Sequence, residues 1–483
     1  MSLVNAEINM GRYHADSAKA FFLAEAGIER VIATIRDGGT PSASLDFTLS
    51  QTGLSDDATL DAVVITITSS TIAPNTYQLT STAALGSSTR VVKANIMYNP
   101  PSKVFDYAYF INNWGWLYGD TITINGDIRS NGRCDNGGYN PVVEGEIYAA
   151  QGIGGQENYR GKAGTVVDEE YIYQHPNSPV VSMPNLQDLS YYETAAVSAE
   201  STISIGDTVI VSAVFGDDAG ECGNIVLVGT TTNPVHVDGP VVVRGDVVIT
   251  GTITGQGTVY SGRNVYVAGG ITYSNPPDSP RPSSDDQGVI DQWVADNENK
   301  DIVGFAASEN VVLGDYTGTT GGPWYADNWL FSMGSEDVGE DGIPDTSDTG
   351  EGDGVFQSAY EDLDGDGIFD NNYTWTDIQT QVDITSFYNV PGGVTGFGDL
   401  ATNYISSVDG IYYTNHAFAG RVGYDVVVNG SIISKDEAII YRNYITMNYD
   451  ERTNSKYKSD PNWLIDLQLP FSERVRVIGW WEG

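Results

Sequence analysis

A six-residue repeat in the middle of the chain constrains the fold more than any other feature. Val235, Val241, Val247, Ile253, Val259, Val265 and Ile271 stand at every sixth position, and Gly239, Gly245, Gly251 and Gly257 keep the same period beside them. A strand-and-turn unit of this length is too short for a helix or a free-standing hairpin, and it buries its one apolar row only by stacking on identical neighbours. The repeat therefore predicts a mainly β fold built on a glycine-rich parallel β-solenoid. Each inward β-branched residue is expected above the next, with glycine turning the corners. A right-handed winding is favoured and a left-handed one stays open. The pattern recurs in Ile122-Thr123-Ile124-Asn125-Gly126-Asp127-Ile128, Val241-Val242-Val243-Arg244-Gly245-Asp246-Val247 and Val426-Val427-Val428-Asn429-Gly430-Ser431-Ile432, which extends the expected architecture over 105–450 with insertions. Hairpins with Asn-Gly turns explain 122–128 equally well, but not seven apolar positions in register.

The beginning of the chain follows a different period. Ala18, Phe21, Ala24, Ile28, Val31 and Ile35 recur at spacings of three and four, one face of an α-helix, and Asp37-Gly38-Gly39 stops it. Runs rich in β-branched residues at 61–68, 76–79 and 90–96 read as strands. Helix and strands make a small α+β unit over 4–100, closed by Asn99-Pro100-Pro101. The expected division then runs 101–273 for the first part of the solenoid, 274–400 for insertions, and 401–481 for its closing part with C-terminal strands. The insertions hold a proline-rich loop at 274–284 and an acidic stretch at 335–375.

Charge narrows the partners. The chain carries 23 Lys plus Arg against 64 Asp plus Glu, a formal net charge of -41. Such a surface repels phosphate backbones, so nucleic acid is not expected as a partner. The 29 Tyr and 9 Trp supply more apolar surface than a disordered chain has, so the acids belong to a folded protein and call for a counter-ion. Asp362, Asp364, Asp366 and Asp370 fall at positions 1, 3, 5 and 9 of a calcium-loop pattern, with Gly367 at position 6 and the Ile368 carbonyl at position 7. A second copy begins 25 residues upstream, where Asp337, Asp341, Asp345 and Asp348 occupy positions 1, 5, 9 and 12 and Ile343 occupies position 7. Neither copy ends in the bidentate Glu of an EF-hand. The expectation is structural Ca2+, not a calcium sensor.

Other chemistry is thinner. His14, His175, His236 and His416 are isolated, which argues against a closed zinc site, and His416 reads as part of a β-edge aromatic patch. Cys134 and Cys222 are the only cysteines; whether they pair is left open. Glycine-rich Gly152-Ile153-Gly154-Gly155 lacks the context of a phosphate loop, and no nucleophile elbow stands out, so no catalytic residue is assigned. Trp114, Trp116, Tyr118, Trp324, Tyr325 and Trp329 lie beside glycines and could stack on sugars or dock into protein pockets.

The segment Ala20-Phe21-Phe22-Leu23-Ala24-Glu25-Ala26-Gly27-Ile28-Glu29-Arg30 closely resembles the region just beyond the membrane span of PilX-type minor pilins and related type IV pilus assembly proteins. In that family a hydrophobic N-terminal helix is cleaved by prepilin peptidase, held in the inner membrane, and later packed into the pilus shaft. The resemblance implies a missing N-terminal membrane segment, membrane anchoring before assembly, and other pilin subunits as partners through the helix. Met1-Ser2-Leu3 and Glu482-Gly483 read like added end residues, in keeping with a segment removed upstream of Asn5. Together these readings lead to the expectation of a non-enzymatic, pilus-associated structural or adhesive protein of the cell envelope or exterior. It would be stabilised by calcium and have a glycan or surface protein as ligand. The alternative is a carbohydrate-active or carbohydrate-binding β-solenoid protein.

Overall fold

The structure is a computed structural model that describes residues 2–36, 44–48, 63–73, 76–98, 103–117, 122–136, 141–162, 171–184, 186, 189–216, 223–279, 281–282, 286–315, 337, 350, 352–357, 369, 382–422, 425–441, 444–458, 465, 467–470 and 475–482. It divides into two compact units, Met1–Ser102 with Phe471–Gly483, and Lys103–Pro470.

In the first unit the helix Ser2–Arg36 lies on a five-stranded antiparallel sheet. Its inward face is Ala20, Leu23, Ala24, Ile28, Val31, Ile32 and Ile35, all buried against Ile65, Ile67, Leu79, Val92, Ala94 and Ile96. That face is displaced slightly from the expected one, since Ala18 is exposed. Gly27 marks the closest approach of helix and sheet, because a Cβ there would meet Ser81 Oγ at 2.3 Å. The sheet takes its last strand, Val475–Glu482, from the far end of the chain, paired antiparallel with Ser88–Tyr98. Arg90 ties this arrangement together by donating to the buried Ser17 hydroxyl at 2.8 Å and to Glu482 at 2.8 Å.

The second unit is dominated by one sheet of twenty strands among the described residues. Most pairings are parallel, and three ladders cross it. One passes through Ile225–Gly229, Val247, Val265, Val311 and Phe418. A second joins Val235 to Ile253, and further along pairs Val426–Asn429 with Ile445–Asn448 and these with Ile122–Asn125. The third links Val241, Val259, Phe305, Tyr412, Ile432, Tyr109, Ile128 and Ile147. Strands buried on this scale read as nearly continuous apolar runs, which is why Val, Ile and Tyr crowd these segments.

The expected fold class, a glycine-rich parallel β-solenoid, is corrected by these pairings. Chain order and spatial order differ: the early strands Tyr109–Ile111 and Ile122–Asn125 pair with the late ones Val426–Ser434 and Ile445–Asn448, so the chain does not wind through the wall rung by rung, although all these strands share one core. The local stacking rule also changes: Val235, Val241 and Val247 pair with Ile253, Val259 and Val265, three repeats away, and not with the next repeat. A register shift between Ile249 and Gly251 then sets Ile271 opposite Gly251, where φ is +93°, breaking the seven-position register.

Two columns of polar side chains stabilise the wall. Asn125 Nδ2 donates to Asn448 Oδ1 at 2.7 Å, Asn448 Nδ2 to Asn429 Oδ1 at 2.8 Å, and Asn429 Nδ2 to Asp409 Oδ1 at 2.7 Å. In the other column Asp246 accepts from Asn264, Asn264 accepts from Asn310, and His416 Nδ1 lies 2.5 Å from Asn310 Oδ1. Buried amides need such partners, and in-register parallel strands supply them at each step.

A strap, with described residues 176–184, 186 and 189–200, lies along the third ladder and connects the described strands of 103–175 to the opposite end of the wall. Arg129 donates to the Pro179 carbonyl, Asn131 exchanges two hydrogen bonds with Val181, and Tyr413 donates to the Pro184 carbonyl. The Leu186 N–H donates to Asn415, Tyr192 stacks on Tyr260 with centroids 4.1 Å apart, and Arg244 pairs with Glu193 at 2.7 Å.

Candidate functional site

An exposed pair of tryptophans stands on a small parallel sheet of Gly115–Leu117, Cys134–Asn136 and Ile153–Gly154. Side chains alternate in a strand, so Leu117 and Cys134 point into the core while Trp116, Asp135 and Gly154, which are in register, face outward. Trp114, two residues before Trp116, joins the same face. The two indoles are near-parallel, 15° apart with centroids separated by 5.5 Å, and remain 45 % and 39 % exposed. Trp114 Nε1 donates to Asp135 Oδ2 at 2.8 Å, and Arg133 Nη2 donates to Asp135 Oδ1 at 3.0 Å. Partial burial alone would raise the Asp135 pKa, but the bonds from Arg133 and Trp114 outweigh it and hold the carboxyl below its ordinary value. Glycine leaves room beneath: a Cβ on Gly154 would crowd the Asp135 carboxylate and force it to shift. Tyr118, Trp324, Tyr325 and Trp329, the other members of the sequence-predicted aromatic set, lie outside the described residues.

A second cluster was not visible in the sequence. Tyr148 and His175 are paired residues on parallel strands, and their rings stack with centroids 4.6 Å apart. Glu146 Oε2 accepts from the Tyr148 hydroxyl at 2.6 Å and lies 2.9 Å from His175 Nε2, while Lys162 Nζ is 3.6 Å from Glu146 Oε1. Burial would raise the Glu146 pKa, but these partners bring it below its ordinary value; burial and the neighbouring acids push Tyr148 far up. Glu146 thus stays ionised and Tyr148 protonated, an arrangement that fixes the edge of the wall rather than supplying a proton acceptor. The spacing Glu-x-Tyr and Tyr-x-His was the only signal, and it means nothing until the two strands are known to pair.

Of the predicted calcium ligands, Asp337 is described: its carboxylate accepts from the Asp353 N–H at 3.2 Å and the Gly354 N–H at 2.9 Å. Asp341, Ile343, Asp345, Asp348, Asp362, Asp364, Asp366, Ile368 and Asp370 lie outside the described residues. Among the described residues no three His, Cys, Asp or Glu side chains group as a metal site. His416 departs from the expected edge patch, being fully buried; desolvation, helped by Lys435, drives its pKa well below the usual value and keeps the ring neutral. Cys134 is a buried free thiol, 3.7 Å from Tyr159 Oη, and burial pushes it up to about 12; Cys222 lies outside the described residues. No described helix is long and apolar enough to cross a membrane.

No protein-family model matches the chain, and no curated protein matches it. Among solved structures, the competence-associated pilin ComZ from Thermus thermophilus aligns over 97% of this chain and 97% of its own, at 11% identity and a TM-score of 0.28. A likeness this slight carries no argument. The expected membership in the PilX-type minor pilins is therefore corrected, together with the pilus vocabulary attached to it. The resemblance rested on the short segment Ala20–Arg30, and the buried residues of that segment, among them Leu23, Ala24 and Ile28, pack on the unit's own sheet, a use open to amphipathic helices of any family.

Proposed function

We propose that the protein is a non-enzymatic structural component of the cell envelope or exterior, with an adhesive role and calcium-stabilised acidic loops. The observation that supports this reading best is the continuous polar column from Asp409 through Asn429 and Asn448 to Asn125. Side-chain bonds in register across parallel strands favour one rigid arrangement, which suits a scaffold that presents a surface. Fractionation of the producing cells tests the placement: the protein is expected with envelope or external material, and its recovery only from cytoplasm would overturn it.

Calcium enters through the paired Asp-Gly-Ile-x-Asp cores at 341–345 and 366–370. Ionised carboxylates so close together repel one another unless a hard cation joins them. Thermal unfolding in excess calcium and in chelator is the check. Saturation at about a hundred times Kd is worth about 2.7 kcal/mol, and that gain should shrink in the Asp364→Ala, Asp366→Ala double variant. Equal melting temperatures in the two buffers would remove calcium from the reading.

A further inference from the structure

We propose that the Trp114–Trp116 face binds a neutral saccharide; this rests on the adhesive reading and names its ligand class. The two exposed indoles offer on the order of 200 Å² of aromatic surface, judged from the size of a buried Trp side chain. A protein partner needs about 800 Å² on each side. Among the described residues, the neighbours Arg133, Asp135, Gly152 and Gly154 add little apolar surface to the patch. A footprint of this size suits one or two sugar rings, whose C–H faces lie flat on indole while their hydroxyls reach polar groups at the rim.

Charge makes the same selection. The chain carries -41 overall, so an anionic polymer is repelled at long range. At the face itself, Arg133 and Asp135 neutralise each other at 3.0 Å, leaving no net charge to attract a cation. What remains is a planar guanidinium whose side chain is 52% exposed, an ionised carboxylate, and two indole planes. Hydroxyl groups can accept from the first and donate to the second. The site is also preorganised. Trp114 is held by its bond to Asp135, Asp135 by Arg133, and both side chains lie over glycines whose Cβ atoms would displace them: at Gly152 a Cβ would stand 3.2 Å from Arg133 Nη1. Rings fixed before binding lose little freedom on contact.

The test uses the full chain labelled with 5-fluorotryptophan and titrated with maltohexaose, cellohexaose and chitohexaose. At least one is expected to shift the Trp114 and Trp116 fluorine resonances saturably and leave the other tryptophans in place. Trp116→Ala should weaken that binding by about tenfold or more, the usual consequence of removing an aromatic anchor. Arg133→Gln should weaken it with both indoles intact, a loss that hydrophobic contact alone does not produce. Both residues are exposed, so an unchanged melting temperature and unchanged remaining resonances certify the fold of each variant. No shift with any of the three sugars, or a shift that persists in the Trp114→Ala, Trp116→Ala double variant, overturns the proposal. In either case, retention of that double variant in the envelope fraction would leave the structural reading standing, whereas a purely cytoplasmic wild-type protein would remove that reading independently.

Discussion

Arg452 is fully buried and spends all its donors. Nε and Nη2 bond the two oxygens of Asp450 at 2.9 and 2.7 Å, Nη1 reaches the carbonyls of Asn297 and Lys300 at 3.0 Å, and Nη2 also reaches that of Asp301 at 2.9 Å. Burial would raise the Asp450 pKa, but the charges of Arg452 and Arg281 overcome it and hold the carboxyl far below its ordinary value. Arg452→Met should cost about 3 kcal/mol, the lower end for breaking a buried pair, since Arg281 stays 3.2 Å from Asp450. Urea unfolding measures it. The neighbouring Glu451 behaves oppositely. Its partial burial pushes the carboxyl from 4.5 up to about 7, with Lys456 opposing the shift and Asp127 adding to it. Between those values the folded chain holds a proton that the unfolded chain has released, so stability falls as pH rises from about 4.5 to 7, by at most about 3 kcal/mol. Melting temperatures across that window should decline less steeply in Glu451→Gln than in the wild type. A segment reading Asp-Glu-Arg looks like exposed charge; only the surrounding carbonyls turn it into a buried clasp.

At the scale of the element, the wall depends on backbones that approach too closely for any side chain. Gly430 has φ +145°, and a Cβ there would stand 1.8 Å from the Gly410 carbonyl oxygen of the adjacent strand. Gly430→Ala is expected to cost at least about 3 kcal/mol, combining a conformation that L residues avoid with a backbone collision. Gly392→Ala is the control: a Cβ there meets nothing within 4 Å, and the change should stay within about 0.5 kcal/mol. Urea midpoints of the two variants decide the matter. The glycine of the Val-Val-Val-Asn-Gly motif was legible in the sequence as a special position. Its reason was not: the constraint comes from a strand twenty residues earlier, brought opposite by the parallel register.

At the scale of the molecule, the strap holds the described strands of 103–175 against the rest of the wall in the second unit. Asn131→Ala removes both bonds to Val181 and the one to Asn112. Hydrogen exchange should then speed up in Tyr109–Ile111 and Ile128–Ser130, while Val235–Val243 and Val247–Ser261 keep wild-type protection, because local opening follows the contacts that are lost. Uniform acceleration across the wall would contradict a local clamp. By itself the sequence determined the local periods: a helix ending near Arg36, β-branched strands behind it, and an apolar row every sixth residue that had to face a core, since each follows from side chains a few residues apart. It also marked Trp114 and Trp116 as candidates for contact. Only the tertiary structure decided that Val241 pairs with Val259, that Ile122–Asn125 pairs with Ile445–Asn448, that Val475–Glu482 completes the first sheet, and that Glu146 meets His175. Those pairings join residues up to hundreds of positions apart, where the free energy of burying a shared core chooses among many locally equivalent registers.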